Sequence, residues 1–254
     1  MLELEGLTKR FLSIPVVDHV SFVVPPGAVT GYLGPNGSGK STTVKMIVGL
    51  LEPSEGQVYY KGQPVFRNML AFQEKVGYVP EEPDLYPYLT GLEYLELVGQ
   101  LRLLPSERLK VKIERFLRLF ELYEDRYTPL SSYSKGMRQK ILLAAALLHD
   151  PEVLILDEPF AGLDVNSTLV LRRVIQSLAA AGKVVLFSSH ELDTVEKLCS
   201  RVVILFQGRV VASDSVERLR ELMALPTLEQ IFAQLALRHD PEALAGELLE
   251  ATRL

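Results

Sequence analysis

A glycine-rich octapeptide constrains this sequence more than any other feature. It consists of Gly34, Pro35, Asn36, Gly37, Ser38, Gly39, Lys40 and Ser41, and it matches the spacing G-x-x-x-x-G-K-[ST]. The apolar residues 28–33 before it predict a strand, and residues 42–51 after it predict a helix. A strand, a glycine-rich turn and a helix in this order favour an α/β fold whose loop binds phosphate.

The residue types in this loop suit a nucleoside triphosphate. Glycines let the backbone curl so that consecutive N–H groups point inward, at a helix N-terminus whose partial positive charge favours anions. We expect Lys40 to reach the outer phosphates, the Ser41 hydroxyl to bind Mg²⁺, and the nucleotide-binding residues to extend to Thr42. The alternative is a β-to-α turn that binds nothing, but a lysine and a serine placed after a strand favour the nucleotide.

Composition excludes several classes of protein. The 254 residues are 48% hydrophobic and carry a formal charge of -5, with a pI near 5.5. These values predict a full hydrophobic core and argue against a dedicated nucleic-acid binder. Cys199 is the single cysteine, so no intrachain disulfide forms, and we interpret it as a buried apolar side chain. No apolar run approaches the roughly 18 residues of a membrane-spanning helix, and the first four residues do not resemble a signal peptide.

Extended segments surround the loop. Residues 1–7 alternate apolar and polar side chains, residues 16–24 form a second extended run, and residues 57–60 a short strand. They predict an N-terminal antiparallel β subdomain beside the phosphate site. Phe11 lies within it, and two interpretations stay open: a core side chain, or a flat face on which an adenine ring stacks.

A helical subdomain is predicted between two core strands. Residues 76–79 predict a strand and residues 90–101 a helix. One face of a second helix carries Leu109, Ile113, Phe116, Leu117 and Phe120. We therefore expect an inserted α-helical subdomain over about residues 85–149. The outer side of this subdomain is basic, which is compatible with an RNA-binding surface or with an ordinary solvent-exposed surface. Interspersed glutamates favour the solvent-exposed surface.

Acidic and histidine side chains follow two buried strands. Residues 153–156 are apolar and end in Asp157 and Glu158, which suit Mg²⁺ binding and orientation of a reactive water, respectively. Residues 184–187 form the next apolar strand, and His190, which follows it shortly, is a candidate for contacting the γ-phosphate. Because ligands bind at the carboxyl ends of strands in open α/β sheets, we expect these side chains to meet. The alternatives are a structural turn at Asp157 and a structural histidine.

Two turns are placed to cap helices. Ser134 is expected to cap the helix that contains residues 141–148, and its hydroxyl lies at a positive helix end. Asp164 closes a Gly-Leu-Asp turn before a helix predicted over residues 165–181.

The C-terminal part predicts the end of the core and a tail. The extended runs 202–206 and 210–212 are expected to complete the core sheet. Two amphipathic helices are expected near residues 228–237 and 242–249. The predicted division is one domain of residues 1–214 and a short helical extension of residues 215–254.

These parts, in this order, resemble the ATP-binding subunit of an ABC transporter over about residues 2–212. The resemblance implies a P-loop NTPase core of the RecA-like type carrying the two subdomains. In that family's terms, the octapeptide is similar to the Walker A loop, and Asp157 with Glu158 to the end of Walker B. Residues 133–137 are similar to the signature loop and residues 162–164 to the D-loop. His190 is similar to the switch histidine, and Phe11 to the aromatic that stacks on adenine.

Two positions depart from the family pattern. The signature usually reads Leu-Ser-Gly-Gly-Gln, and here Tyr133, Lys135 and Met137 replace three of its residues, while Ser134 and Gly136 remain. The Q-loop glutamine position is Glu81, which keeps an oxygen ligand and adds a negative charge, with direct or water-mediated metal contact left open. Both features are similar to the export-type branch whose membrane partners are called ABC-2 permeases.

The resemblance implies an ATPase that uses ATP and Mg²⁺ to power an exporter. It makes Glu158, His190 and Lys40 the catalytic residues, and Ser41, Asp157 and Glu81 the metal ligands. Its nucleotide contacts are the octapeptide, Thr42, Phe11, Glu81, Asp164, and Ser134 with Gly136. The implied partners are integral-membrane permease subunits and a second copy or a related ATPase subunit, at the cytoplasmic face of the membrane. The permease is expected near Tyr86 and Tyr88, between the insertion and the Glu81 loop.

Three other classes fit less well. A soluble ABC-type ATPase acting on the ribosome or nucleic acid is the main alternative, but no internal repeat or cysteine cluster supports it. A GTPase would need an Asn-Lys-x-Asp motif, and none of Asn36, Asn68 and Asn166 begins one. A small-molecule kinase would have no use for a signature loop.

Overall fold

A computed structural model of the protein describes residues 1–225 and 227–236. The strands are β1 (Leu2–Phe11), β2 (Ile14–Val24), β3 (Val29–Leu33), β4 (Glu55–Tyr60), β5 (Gln63–Pro64), β6 (Val76–Val79), β7 (Val153–Asp157), β8 (Val184–Ser189), β9 (Arg201–Phe206) and β10 (Arg209–Ser215). The helices are α1 (Lys40–Ile47), α2 (Met69–Gln73), α3 (Gly91–Leu101), α4 (Ser106–Leu119), α5 (Lys135–Leu147), α6 (Val165–Ala180), α7 (Leu192–Leu198), α8 (Val216–Met223) and α9 (Leu228–Ala236). No helix within these described residues is long and apolar enough to cross a bilayer.

The phosphate loop leaves the middle of a six-stranded sheet of order β10-β9-β3-β8-β7-β6. Strands β6, β7, β8, β3 and β9 run parallel, and β10 closes one edge antiparallel to β9. Every residue of β3 and β7 is buried, as expected for parallel strands that are covered on both faces. Side chains alternate between the faces, so that Tyr32 packs into one core and Leu33 into the other.

An antiparallel sheet of order β2-β1-β4-β5 covers one side of the core, as the N-terminal alternation predicts. Val20, Tyr32 and Ile47 share the apolar cluster between this sheet, the central sheet and α1. The Tyr60 hydroxyl also donates a hydrogen bond of 2.7 Å to Glu152, just before β7. The two sheets are therefore joined by both apolar and polar contacts.

The predicted helical subdomain consists of α3, α4 and one face of α5 around a separate apolar cluster. Leu109, Ile113 and Leu117 are buried on one face of α4, as their spacing predicts. Helix α3 begins with a capping box, in which the Thr90 hydroxyl accepts from Glu93 N–H and the Glu93 carboxylate accepts from Thr90 N–H. This cap fixes where the subdomain begins.

One helix boundary differs from the sequence prediction and another agrees with it. Helix α1 ends at Ile47 rather than residue 51, because Gly49 has a φ of 78° and the Leu50 N–H turns back to the Lys45 carbonyl. Helix α5 begins at Lys135, directly after Ser134, so the predicted Ser134 cap is confirmed.

The C-terminal part contains a helix that the sequence analysis did not predict. Helix α8 precedes the expected α9, and both helices bury side chains in the core beneath α6 and α7, among them Val216, Leu219, Leu228 and Ile231. The predicted helix at residues 242–249 lies outside the described residues. The division of the chain at residue 214 remains a prediction.

Candidate nucleotide-binding and catalytic site

The phosphate loop is shaped by glycines that no other residue could replace without movement. Gly39 caps α1 with a φ of 106°, a backbone conformation that favours glycine. A Cβ on Gly34 would lie 2.4 Å from the Leu205 carbonyl oxygen and 2.6 Å from the Ser38 Oγ. The loop therefore curls tightly between β3 and α1, with its N–H groups at the positive end of that helix.

Lys40 is buried at the base of the loop. Its Nζ donates to the Gly34 carbonyl oxygen at 2.7 Å and to the Pro35 carbonyl oxygen at 3.4 Å. Burial lowers the pKa of the ammonium, and the carboxylates of Glu158, Asp157 and Glu81 oppose that shift. The ammonium is thus held against the loop backbone, within the field of the acidic side chains that face it.

Two carboxylates stand at the end of β7. Asp157 is paired with Ser188 of the neighbouring β8 in the sheet register, and the Ser188 hydroxyl donates a short hydrogen bond to Asp157 Oδ1. Only 1% of the Asp157 surface is exposed. A buried carboxylate is costly without partners, and the serine supplies one fixed donor.

Glu158 is held next to Asp157 by the strand end and by His190. Its φ of 48° is unusual for a residue other than glycine, and its N–H donates to the Ser188 carbonyl oxygen at 3.2 Å. His190 Nδ1 lies 2.8 Å from Glu158 Oε1, and the Ser189 hydroxyl donates to Glu158 Oε2 at 3.4 Å. The expected meeting of Asp157, Glu158 and His190 at one sheet edge is what the structure shows.

A cavity of about 280 Å³ lies between the loop and Glu158, and neither Asp157 nor His190 is among the residues that line it. Its lining residues are Val16, Asn36, Gly37, Gly39, Lys40, Ser41, Thr42, Glu81 and Glu158. The structure thus brings together loop amides, an ammonium, a hydroxyl and two carboxylates around one space. Such a set can hold a polyphosphate and orient a water against it.

The side chains present fit a magnesium ion bound together with phosphate. Ser41 Oγ donates to Glu81 Oε2 at 3.5 Å, so the hydroxyl and this carboxylate face each other across the cavity mouth. Hydroxyl, carboxylate and phosphate oxygens are the ligands that Mg²⁺ prefers. Within the described residues no group of three acidic, histidine or cysteine side chains forms a closed metal site. An ion here would therefore need oxygen atoms from a bound nucleotide or from water.

Ser134, Gly136 and Asp164 lie in a second cluster and do not line this cavity. Ser134 caps α5 by accepting from the Met137 N–H at 3.2 Å. A Cβ on Gly136 would lie 2.7 Å from the Gly162 carbonyl oxygen, so the start of α5 touches the turn before α6. Asp164 caps α6 through Ser167, whose hydrogen bonds lower the pKa of the Asp164 carboxyl to about 2.

Phe11 ends β1 with 48% of its surface exposed, which excludes the core interpretation. Lys9 Nζ lies 5.4 Å from the centre of its ring. The ring is open to solvent on the antiparallel sheet, and it does not line the phosphate cavity. Its stacking on adenine stays a prediction.

The comparison with protein families decides the assignment. A family model described as "ABC transporter" matches residues 17–161, more than half of the chain. The chain belongs to this family. It is an ATP-binding cassette of that family and an ATPase.

Curated relatives carry the same description. An uncharacterized ABC transporter ATP-binding protein of Nostoc, all4389, is 42% identical over 78% of this chain, which spans 59% of that protein. The ABC transporter ATP-binding protein NatA of Bacillus subtilis is 35% identical over 91% of this chain and 96% of its own length. The Nod factor export ATP-binding protein I of Ralstonia nicotianae is 34% identical over 84% of this chain and 66% of its own length.

Solved structures agree on the cassette fold. The structure of an ATP-binding subunit of an ABC transporter superposes with a TM-score of 0.87 at 33% identity, covering 92% of this chain and 99% of that one. A dimeric structure of MJ0796, a bacterial ABC transporter cassette, gives a TM-score of 0.78 at 24% identity over 85% of this chain and 99% of its own. At that identity the second likeness concerns the fold alone.

The cassette contains supporting residues to which the sequence analysis gave no role. Ser188 and Ser189 bind the carboxylates of Asp157 and Glu158, and Val16 lines the phosphate cavity from β2. Gln139, buried on α5, donates to the Pro159 carbonyl oxygen at 3.4 Å, directly after Glu158. The two serines were visible as polar residues ending an apolar strand, whereas Val16 and Gln139 carry no signal that separates them from ordinary core positions.

Proposed function

We propose that this cassette hydrolyses ATP with Mg²⁺ in a head-to-tail dimer and that the dimer powers a membrane exporter of the ABC-2 type. The observation that carries the proposal is the separation of two residue sets. The phosphate loop, Glu81 and Glu158 line one cavity, while Ser134 and Gly136 lie outside it. A second copy of the chain, or a related subunit, supplies the missing set by facing the cavity with its own signature loop.

We propose a separate task for each group in the site. Loop amides and Lys40 bind the outer phosphates, because amide dipoles and an ammonium stabilise their charge. Glu158 orients the water that attacks the γ-phosphate, and His190 holds Glu158 through its Nδ1. Ser41, Asp157 and Glu81 are the side chains that would hold Mg²⁺, which when bound neutralises phosphate charge.

Export is proposed from two observations. One relative is named for export, the Nod factor protein of Ralstonia nicotianae, and the signature loop and Glu81 resemble the export-type branch. The subunit would then sit at the cytoplasmic face of the cell membrane, attached through a permease. Inverted membrane vesicles expose that face to added ATP, so we expect them to accumulate the transported solute. ATP-dependent accumulation confined to right-side-out vesicles would contradict export.

Glu81 should tolerate loss of its charge. Glu81→Gln keeps the oxygen that faces Ser41 Oγ at 3.5 Å, so we expect ATP turnover to stay within about tenfold of the wild-type value. The Mg²⁺ concentration that gives half-maximal turnover should rise, because a neutral amide attracts the cation less strongly. Turnover measured against Mg²⁺ concentration checks both points.

The control for Glu81 is Glu82→Gln, which removes an exposed carboxylate from the next residue. It should change neither turnover nor Mg²⁺ dependence. If Glu81→Gln abolished turnover as completely as loss of Lys40, the assigned role of Glu81 would be wrong.

A permease helix is proposed to dock in an apolar groove of about 690 Å³ between α2, β6 and the end of α3. The groove displays four strongly exposed leucines, Leu50, Leu70, Leu101 and Leu103. Tyr78 of β6 lies in its lining, and burial, Asp157 and Glu81 raise the pKa of Tyr78. The groove is thus continuous with the strand that leads to Glu81.

Crosslinking distinguishes this groove from the region near Tyr86 and Tyr88 that the sequence analysis predicted. We expect Leu70→Cys and Leu103→Cys to crosslink to the co-expressed membrane subunit. Leu222→Cys, on α8 with 62% of the leucine surface exposed, should remain free. The native Cys199 is buried and should not react. Crosslinks formed only by Tyr86→Cys or Tyr88→Cys would move the docking site to the polar groove beside Pro83. We further expect a cysteine near Glu242, in the C-terminal tail, not to crosslink; that position lies outside the described residues.

A further inference from the structure

Tyr133 is anchored at both ends directly before the signature serine Ser134. Its side chain is buried, and its hydroxyl donates to the Asp125 carbonyl oxygen at 2.7 Å. Its own carbonyl oxygen accepts from the Arg138 guanidinium at 2.7 Å. Burial raises the pKa of the Tyr133 hydroxyl to about 12, so it remains a hydrogen-bond donor at neutral pH. Ser134 therefore follows a residue with little freedom to move.

The ring of Tyr133 occupies space that only a glycine at position 91 leaves open. Gly91 is the first residue of α3, and a Cβ there would lie 2.7 Å from the Tyr133 Oη and 3.4 Å from its Cζ. Gly91 does not have a positive φ, so its backbone conformation is open to any residue. The closest obstacle to a side chain is therefore the tyrosine hydroxyl, followed by Ile141 Cδ1 at 3.2 Å, and not the backbone.

The chain that leaves Glu81 is bonded to the chain that enters the signature loop. Leu130 N–H donates to the Leu89 carbonyl oxygen at 2.8 Å, and Ser131 N–H donates to the Pro87 carbonyl oxygen at 2.9 Å. The Tyr133 ring on Gly91 is the next contact along this pair of segments. The two segments therefore form one hydrogen-bonded unit that ends at Ser134.

We propose that Tyr133 is a positioning residue: seated on Gly91 and bonded to Asp125, it holds Ser134 where the signature loop acts on the nucleotide of the partner subunit. The inference rests on the proposed head-to-tail dimer. It assigns a role to a position where this chain departs from the family's leucine. Because Ser134 serves the other subunit's nucleotide, displacement of Tyr133 should impair dimer formation and turnover but not ATP binding by a single subunit.

The test compares Tyr133→Phe, Gly91→Ala and the double variant. Tyr133→Phe removes only the hydroxyl, and we expect turnover at saturating ATP to fall about threefold. Gly91→Ala pushes the tyrosine ring and should lower turnover about tenfold or more. In the Tyr133→Phe background the added methyl group no longer meets an oxygen, so Gly91→Ala should cost less than about twofold further. Equilibrium dialysis at low protein concentration should give the same ATP dissociation constant for all variants.

Dimer formation is the readout that a merely structural role would not change. In a Glu158→Gln background, Gly91→Ala should raise the ATP concentration needed for dimerisation in sedimentation runs, and the added Tyr133→Phe change should restore it. Tyr127→Phe is the matched control, because Tyr127 is an exposed tyrosine of the same loop, and it should behave as wild type.

Three results would overturn the inference. One is additive losses of turnover in the double variant, and another is an equal loss of ATP binding by the single subunit. The third is that Gly91→Ala, added to Glu158→Gln, leaves ATP-dependent dimerisation unchanged. That result would overturn the role of Tyr133 but not the head-to-tail dimer. A parent protein that stays monomeric in saturating ATP would overturn the head-to-tail dimer and this inference together.

Discussion

Replacing Glu158 by glutamine is expected to lower ATP turnover by a factor of about 100 or more, while ATP binding survives. The glutamine keeps an oxygen for the 2.8 Å contact with His190 Nδ1 but loses the charge that orients the attacking water. Both side chains tolerate the φ of 48° at this position about equally, so the backbone should not change. Phosphate release in single-turnover experiments measures the effect directly.

The same variant should accumulate an ATP-bound dimer. Nucleotide that bridges two subunits stabilises the closed form by mass action, and slow hydrolysis keeps it in place. Size exclusion in ATP should therefore show a dimer for Glu158→Gln and a monomer for the wild type after turnover. Adding Ser134→Arg should return the protein to monomer, because a bulky cation would occupy the place of the γ-phosphate contact.

Asp193→Asn is the control for these experiments, since it removes an exposed carboxylate from the helix that follows His190. It should leave turnover and oligomeric state unchanged. A Glu158→Gln protein that binds ATP and unfolds at the wild-type temperature, yet remains monomeric with and without its permease, would contradict the shared site.

Replacing Lys40 by alanine is expected to weaken ATP binding and to lower turnover by about 100-fold or more. The Lys40 ammonium is the side-chain cation in the lining of the phosphate cavity, where Glu81 and Glu158 also lie. Without it, the negative phosphates would meet these carboxylates with only amide dipoles to offset the repulsion. Titration with a fluorescent ATP analogue and a steady-state ATPase assay measure the two losses.

Lys45→Ala is the matched control for Lys40, because it removes an exposed lysine from the same helix α1. It should change ATP affinity less than about twofold, as expected for a screened surface charge. Equal weakening by both substitutions would show that the general charge of the helix, rather than the buried ammonium, holds the phosphates. The Lys40→Ala protein should remain folded, since Lys40 Nζ bonds only to loop carbonyls that water can satisfy once the lysine is gone.

Local patterns in the sequence predicted most of the cassette. The octapeptide between an apolar strand and a helix identified the phosphate loop. Its glycines shape the turn and its lysine and serine bind the ligand, and these roles depend only on residues close in sequence. The apolar runs before Asp157 and His190 placed both at the same sheet edge, since strands in an open α/β sheet present their carboxyl ends together. The face of α4 was likewise predicted from its spacing.

Sequence patterns failed at short helices, which span too few turns to show a clear periodicity. Helices α2 and α8, of five and eight residues, were missed for this reason. The exposure of Phe11 was also undecided from the sequence. The residues around an aromatic side chain at a strand end do not indicate whether it faces the core or solvent.

The sequence by itself determined the chemistry of this protein: a loop that binds triphosphate, carboxylates that follow a buried strand, and a signature loop that starts a helix. These features follow from residues adjacent in the chain. Only the tertiary structure decided how distant segments combine. It placed Glu81 against Ser41, set Gly136 on Gly162, and seated Tyr133 on Gly91. Such contacts join residues about 25 to 45 positions apart, and their distances depend on the packing of the whole fold, which no local pattern encodes.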